Sequence, residues 1–166
     1  MSNPKAALIM GSDSDFDKVK GCAAKLKEFN IEVEVSVISA HRTPDKAMEY
    51  AKNAEDNGIE VIICAAGMAA HLAGVVAANT TLPVIGIPIE STFSGLDAML
   101  ATVQMPPGIP VATVGLNNGT NAAILAAEIL SLKYDYLKET LKKARVKMAE
   151  SVAEKDKAIK ERAAAL

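Results

Sequence analysis

Two polar segments, each directly after a strand-like run, carry the residues best suited to chemistry. Residues 11–15 read Gly-Ser-Asp-Ser-Asp and follow an apolar run at 6–10. Residues 39–44 read Ser-Ala-His-Arg-Thr-Pro and follow an alternating run at 31–38. In a parallel sheet both segments leave the strands at the carboxyl edge, where ligands bind. Their hydroxyls, helix-start amides, carboxylate, histidine and arginine suit a phosphorylated small molecule and a proton transfer on it.

The first segment has the features of a phosphate site. Gly11 permits a tight exit from the strand, and Ser12 and Ser14 supply hydroxyls beside the positive end of a predicted helix. Asp15 would repel a phosphate, so it is better suited to accept hydrogen bonds from sugar hydroxyls. The alternative is that Ser14 and Asp15 only cap the helix, and the spacing leaves both interpretations open. The segment is neither a P-loop nor a dinucleotide-binding glycine fingerprint.

The second segment adds an acid–base group beside a fixed positive charge. His41 can titrate near neutral pH and act as a general acid or base, and Arg42 can bind phosphate in bidentate fashion. The alternative is that His41 only makes local hydrogen bonds, but its placement beside Arg42 in such a loop favours a functional role. The other histidine, His71, lies in a small-residue segment that lets backbone approach a ligand. Whether His71 lines the site or only packs is left open.

These segments need a scaffold, and the hydrophobic pattern predicts one. Strand-length apolar runs alternate five times with helical patterns, which is typical of a three-layer α/β fold with a parallel sheet and helices on both faces. The predicted strands are 6–10, 31–38, 61–65, 83–87 and 111–114. The first three predicted helices run from Ser14 or Asp15 to Phe29, from a Thr43 cap to Asn57-Gly58, and from Gly67 to Ala78. The fourth runs from a Ser94 cap to Thr102. A fifth helix begins at Asn121 and breaks near 132–135, and a charged C-terminal helix follows it. Glu90 and Asp97 are interpreted as helix-start and surface charges.

Composition narrows the class of protein. The 166 residues suit one domain (1–166), with a core at 5–132 and a helical extension at 133–166, and the net charge of −2 gives no reason to expect nucleic-acid binding. The extension carries ten Lys/Arg and six Asp/Glu with interleaved signs, which favours a solvated or subunit-bridging helix. Cys22 and Cys64 lack metal or redox spacing and predict a reduced, cytoplasmic protein. Neither a metal site nor a membrane segment is expected.

Five ordered motifs within residues 5–132 are similar to those of the PurE family of purine biosynthesis. They lie at residues 10–15, 39–44, 66–72, 82–88 and 103–111. The resemblance implies a flavodoxin-like fold, a homo-octamer and a carboxylated aminoimidazole ribonucleotide as substrate. The residues themselves indicate acid–base chemistry with no cofactor. A transient contact with the upstream synthetase that forms the carbamate is a partner hypothesis that the sequence leaves open.

Within the family, the His-Arg-Thr-Pro and Ala-Ala-His-Leu runs resemble the mutase branch, class I. That branch isomerises N5-carboxyaminoimidazole ribonucleotide to 4-carboxy-5-aminoimidazole ribonucleotide in IMP biosynthesis, by decarboxylation and recarboxylation. The alternatives are a carboxylase of the same fold that uses free carbon dioxide, and a non-catalytic nucleotide-binding module.

The resemblance also implies roles for individual residues. His41 is the general acid/base, Ser14 and Arg42 hold the phosphate, and Asp15 binds the ribose hydroxyls. The remaining site residues are Ser12 and Ser39 near the phosphate, Ala66 and Gly67 along the base and carboxylate, and Ala40, Ala69, His71 and Leu72. The chain departs from the family pattern at Met68, where a second glycine is expected, at Ala73, where proline is usual, and at 117–120, where a longer turn is usual.

Overall fold

A computed structural model describes residues 3–166 and contains a five-stranded sheet with all strands parallel, in the order β2-β1-β3-β4-β5. The strands are β1 (Lys5–Met10), β2 (Glu32–Val37), β3 (Val61–Gly67), β4 (Val84–Ile89) and β5 (Ala112–Thr113). The helices are α1 (Phe16–Glu28), α2 (Pro44–Asn53), α3 (Leu72–Ala77), α4 (Leu96–Val103), α5 (Gly119–Leu130) and α6 (Asp135–Ala164). This order is the flavodoxin-like one, so the predicted three-layer fold is confirmed.

The central strands are apolar throughout because helices cover both faces of the sheet. Alternate residues of a strand face opposite sides, so Leu8 belongs to the core under α1 and α5, whereas Ile9 belongs to the core under α2 and α3. The same alternation separates Ile63 from Ile62 on β3. The sheet is thus fixed between two hydrophobic layers, and its carboxyl edge provides a rigid base for the loops.

Several predicted boundaries were wrong. β3 continues through Gly67, so the predicted helix start there is replaced by a loop before α3. Ser94 does not cap α4, since its φ is +52° within a short 3-10 turn and Gly95 occupies the cap position. Smaller differences are a 3-10 turn at Asp13–Asp15 before α1, an α2 that ends at Asn53 before turns to Gly58, an α5 that begins at Gly119, and a β5 of only two residues.

The charged C-terminal helix is present, and the break before it is confirmed, since α5 ends at Leu130 and α6 begins at Asp135. The first turns of α6 pack on the core, where Leu137 is buried and Leu141 is partly buried. Beyond residue 145 nearly every side chain is exposed. Among the helices of residues 3–166, none combines the length and the apolar character that crossing a membrane requires.

Candidate active site

The loops after β1, β2, β3 and β4 enclose a cavity of about 600 Å³ at the carboxyl edge of the sheet. Because β1 lies between β2 and β3, the loops that follow these three strands must meet. All twelve predicted site residues line the cavity: Ser12, Ser14, Asp15, Ser39, Ala40, His41, Arg42, Ala66, Gly67, Ala69, His71 and Leu72. The structure therefore brings the predicted set together, while the role of each residue stays a prediction.

The first loop is organised around a pair of serine hydroxyls. Ser14 Oγ donates to Ser12 Oγ at 2.9 Å, and Ser12 Oγ also accepts from the Ser14 amide at 3.4 Å. Ser12 is thus the cap of the 3-10 turn, and Asp15 makes no capping hydrogen bond to α1. Asp15 does stand at the N-cap position of α1, but its carboxylate makes no capping hydrogen bond and is left available for a ligand.

The surroundings of Asp15 also shift the pKa of its carboxyl group. Partial burial raises the pKa of its carboxyl group, the nearby Lys18 ammonium opposes that rise, and Asp13 adds to it. Lys18 Nζ itself donates to the Glu90 carbonyl at 2.5 Å, which links α1 to the loop after β4. A carboxylate in such a setting gains by accepting hydrogen bonds from a ligand.

Arg42 is held by neutral partners only. Its guanidinium donates to the Gly11 carbonyl at 2.7 Å and, through Nε, to Ser39 Oγ at 3.3 Å. Within residues 3–166 no carboxylate pairs with it. Thr43 stands at the N-cap position of α2, as predicted, but its hydroxyl donates to the Ser39 carbonyl at 2.9 Å and makes no capping hydrogen bond to the helix. The positive charge therefore stays available for an anionic ligand.

His41 and His71 form a pair across the cavity. His41 Nε2 lies 3.0 Å from His71 Nδ1, and the rings meet edge to face at 77° with their centroids 5.1 Å apart. One of these two nitrogens must carry the shared proton, so each ring influences the tautomer of the other. Sequence reasoning left the position of His71 open, and the structure places it on the cavity wall.

The loop after β3 is tightly folded. The Ala70 amide donates to the Met68 carbonyl at 2.9 Å, and the His71 amide donates to the Ala69 carbonyl at 2.8 Å. Glycine suits position 67 before this loop, because a Cβ there would lie 3.0 Å from the Ile89 carbonyl oxygen, which is closer than most Cβ contacts. The backbones of β3 and β4 therefore lie close together where this loop begins.

Four further residues line the cavity and were absent from the predicted set: Gly11, Met68, Ile89 and Ser91. Ile89 and Ser91 lie at the end of β4, which pairs with β3 through Gly67 and Ile89. In a flavodoxin-like order the third and fourth strands are neighbours, and this adjacency could have predicted that Ile89 and Ser91 line the cavity. Met68 is also one of the positions at which the chain departs from the family pattern.

The unusual turn at 117–120 closes the end of β4. Asn117 accepts from the Glu90 amide at 3.0 Å and donates to the Glu90 carboxylate at 3.2 Å. Glu90 is therefore engaged in this link rather than being a free surface charge. Asp97 accepts from the Ala98 amide at 2.9 Å at the start of α4, which confirms its predicted helix-start position. Among residues 3–166, no group of three or more His, Cys, Asp or Glu is arranged to hold a metal ion.

Fold and cavity together define a flavodoxin-like α/β protein with a ligand site at the carboxyl edge of its sheet. The family model for AIR carboxylase matches residues 5–151, and the chain belongs to that family. It is 59% identical over 146 residues to the N5-carboxyaminoimidazole ribonucleotide mutase of Pyrococcus abyssi, covering 87% of this chain and 84% of the relative.

Two further proteins are also similar to this chain. The phosphoribosylaminoimidazole carboxylase of Schizosaccharomyces pombe is 48% identical over 156 residues, which are 93% of this chain but 28% of that longer protein. The crystal structure of Treponema denticola PurE superimposes with a TM-score of 0.85 at 31% identity, covering 93% of this chain and 97% of that one.

Proposed function

We propose that this protein is an N5-carboxyaminoimidazole ribonucleotide mutase, an isomerase of purine biosynthesis. The observation that carries the proposal is the placement of His41 and the unpaired Arg42 on one cavity with a second histidine. A mutase of this kind needs an anion site for the nucleotide phosphate and one group that both gives and takes a proton. The 59% identity to a relative that bears this name supports the same activity.

The contacts suggest how the nucleotide is bound. Arg42 and the Ser14 hydroxyl hold the phosphate, with the hydroxyls of Ser12 and Ser39 close by. Asp15 accepts hydrogen bonds from the ribose hydroxyls, which suits a half-buried carboxylate that has no capping role. The small residues of the loop after β3, chiefly Ala66 and Gly67, then lie along the base and its carboxylate. Ala40, Ala69, His71 and Leu72 complete the wall.

In the proposed reaction, His41 carries one proton out and back. The N–C bond of the carbamate breaks, carbon dioxide leaves, and protonated His41 donates its proton to the nitrogen. The ring carbon then attacks the trapped carbon dioxide and forms the new C–C bond. Neutral His41 removes the proton from that ring carbon, which restores the aromatic ring and the starting state of the histidine. Atoms and charge balance over the cycle, so the net reaction is an isomerisation.

A carboxylase that uses free carbon dioxide is the second candidate. The 48% identity to a relative named phosphoribosylaminoimidazole carboxylase supports this second candidate. The same phosphate site and proton carrier would serve both reactions, which differ only in the source of the carbon dioxide. A non-catalytic nucleotide-binding module is less well supported, since binding a phosphate requires neither His41 nor its 3.0 Å contact with His71.

The experiment that tests this proposal supplies the two carbon sources separately. One arm contains aminoimidazole ribonucleotide and high bicarbonate, and the other contains the carbamate made in situ by its ATP-dependent synthetase at low bicarbonate. Formation of the carboxylated product is followed in each, with a synthetase-only control. Fast turnover only from the carbamate supports the mutase. Equal or faster turnover from bicarbonate identifies a carboxylase, and no product in either arm supports the binding module.

The proposal extends to the setting of the enzyme. We infer a cytoplasmic homo-octamer of a one-domain chain, in which the extension at 133–166 reaches a neighbouring copy. Exposed apolar side chains beyond residue 145, among them Val146, Val152 and Ile159, support a contact for that part of α6. The lability of a carbamate supports a transient contact with the upstream synthetase, and the buried free thiols of Cys22 and Cys64 suit a reducing compartment.

A further inference from the structure

Met68 stands in a backbone conformation that its side chain does not favour. Its φ is +55°, in the left-handed region that residues with a Cβ rarely adopt. Its side chain is 58% exposed, so burial does not offset that strain. Strained residues that gain nothing from packing are concentrated at functional sites. Met68 therefore calls for an explanation other than folding stability.

The other residues with positive φ differ from Met68 in type or in place. Asn30 and Asn117 belong to the residue type that tolerates this region best. Phe93 and Ser94 lie in the turn before α4 and do not line the cavity. Among the described residues that are neither Gly nor Asn, Met68 is thus the one that combines a left-handed backbone with a large exposed apolar side chain and a place on the cavity wall.

The cavity wall leaves space for such a side chain. The neighbours of Met68 in its loop are small, and the two other large apolar side chains on the wall, Leu72 and Ile89, are fixed in the interior at 2% and 1% exposure. The two tight turns at 68–71 hold the Met68 backbone in place. Its long, unbranched side chain can then change rotamer freely above a rigid loop.

We propose that Met68 is an apolar lid whose side chain folds over the bound nucleotide and retains the carbon dioxide released in the reaction. This inference rests on the proposed function. Carbon dioxide is small and apolar, so it escapes wherever the cavity stays open to water. A flexible apolar side chain at the opening closes the site only while the nucleotide occupies it. Met68 touches no reacting atom in this role and is a positioning residue.

The first test changes the lid and measures where the carbon goes. Wild type, Met68→Gly and Met68→Leu receive the carbamate in buffer containing ¹³C-bicarbonate. We expect Met68→Gly to release several-fold more decarboxylated nucleotide per carbamate consumed than wild type and to place several-fold more label in the product. Met68→Leu keeps an apolar side chain and should behave like wild type. Because glycine relieves the strained φ, the melting temperature of Met68→Gly should not fall.

Phe93→Gly is the matched control, since it also removes an exposed side chain at positive φ, outside the cavity. It should leave the product ratio unchanged. Wild-type partitioning in Met68→Gly would overturn the lid, and so would complete loss of turnover in a folded variant. If wild type makes no carboxylated product from the carbamate, the proposed function itself fails, which is a separate result.

The second test observes the lid closing in the unaltered protein. Hydrogen peroxide oxidises exposed methionines, and mass spectrometry measures the rate at each one. Met148, which is 52% exposed on α6 and outside the cavity, is the internal reference. Adding 4-carboxy-5-aminoimidazole ribonucleotide should slow oxidation of Met68 several-fold and leave Met148 unchanged. An equal rate at Met68 with and without the nucleotide would contradict the proposal.

Discussion

The amino and carboxyl edges of this sheet differ in whether their charged side chains are paired with an opposite charge. At the amino edge, carboxylates are paired: Glu34 accepts from Lys5 at 3.0 Å and from Tyr50 at 2.9 Å, and Glu60 accepts from both Lys133 and Tyr134 at 2.6 Å. At the carboxyl edge, the groups that could bind or move charge face neutral partners. Arg42 donates to a carbonyl and a serine, and His41 contacts another histidine.

This difference separates stabilising interactions from those reserved for a ligand. A charge that is already paired contributes to folding and has little left for binding, whereas a charge held only by neutral groups keeps most of its attraction for an anion. We therefore expect substitutions at the carboxyl edge to affect turnover or binding, and substitutions at the amino edge to affect stability. The following substitutions test that division.

The largest effect is expected for His41→Asn. Loss of the group that carries the proton should lower turnover of the carbamate by about 10²–10⁴-fold. Asparagine is polar and of similar size, so affinity for the carboxylated nucleotide, measured by calorimetry, should stay within a few-fold of wild type. Turnover like that of wild type would exclude His41 as the general acid/base. Loss of binding instead would assign it to the ligand site.

The next effect is expected for Arg42→Ala. Removing a guanidinium that pairs with the substrate phosphate should weaken nucleotide binding by about 2–4 kcal/mol. Arg145→Ala is the matched control, because Arg145 pairs with Glu128 at 3.1 Å on the distant α6 and should leave affinity unchanged. Unchanged affinity in Arg42→Ala would mean that the phosphate binds elsewhere.

The smallest effect is expected at the amino edge, for Tyr50→Phe. Loss of the hydrogen bond to Glu34 should lower the free energy of unfolding by about 1 kcal/mol at neutral pH and leave turnover unchanged. The hydrogen bonds from Lys5 and Tyr50 hold the pKa of Glu34 below its usual 4.5, so its contribution is present above pH 4.5 and is lost as the pH falls through the lower folded value.

The deficit of Tyr50→Phe should therefore shrink in acid, as measured by denaturant unfolding at two pH values. Tyr136→Phe provides the control, since the Tyr136 hydroxyl donates to the carbonyls of Phe29 and Asn30, which do not titrate in this range. A Tyr50→Phe deficit of the same size at both pH values would exclude Glu34 as its source.

The sequence predicted the sheet and the cavity well because strand-length apolar runs and helix-start signals are local. It failed where pairing between strands overrides local preference. Alanine favours helices, so the small residues around Gly67 suggested a helix start, but pairing of Gly67 with Ile89 extends β3. Thr43 does occupy the N-cap position of α2, but residue type alone does not reveal that its hydroxyl turns back to Ser39. The contact between His41 and His71 depends on strand order, which no local pattern contains.

The proposed mutase mechanism requires that the carboxylate moves within the closed site of one molecule. The most direct measurement supplies the wild-type protein with carbamate labelled with ¹³C in its carboxylate, in buffer with unlabelled bicarbonate, and follows the label by NMR or mass spectrometry. If the mechanism holds, nearly all of the 4-carboxy-5-aminoimidazole ribonucleotide formed carries the label. Product that is mostly unlabelled would contradict it, because its carbon would then have come from the free pool.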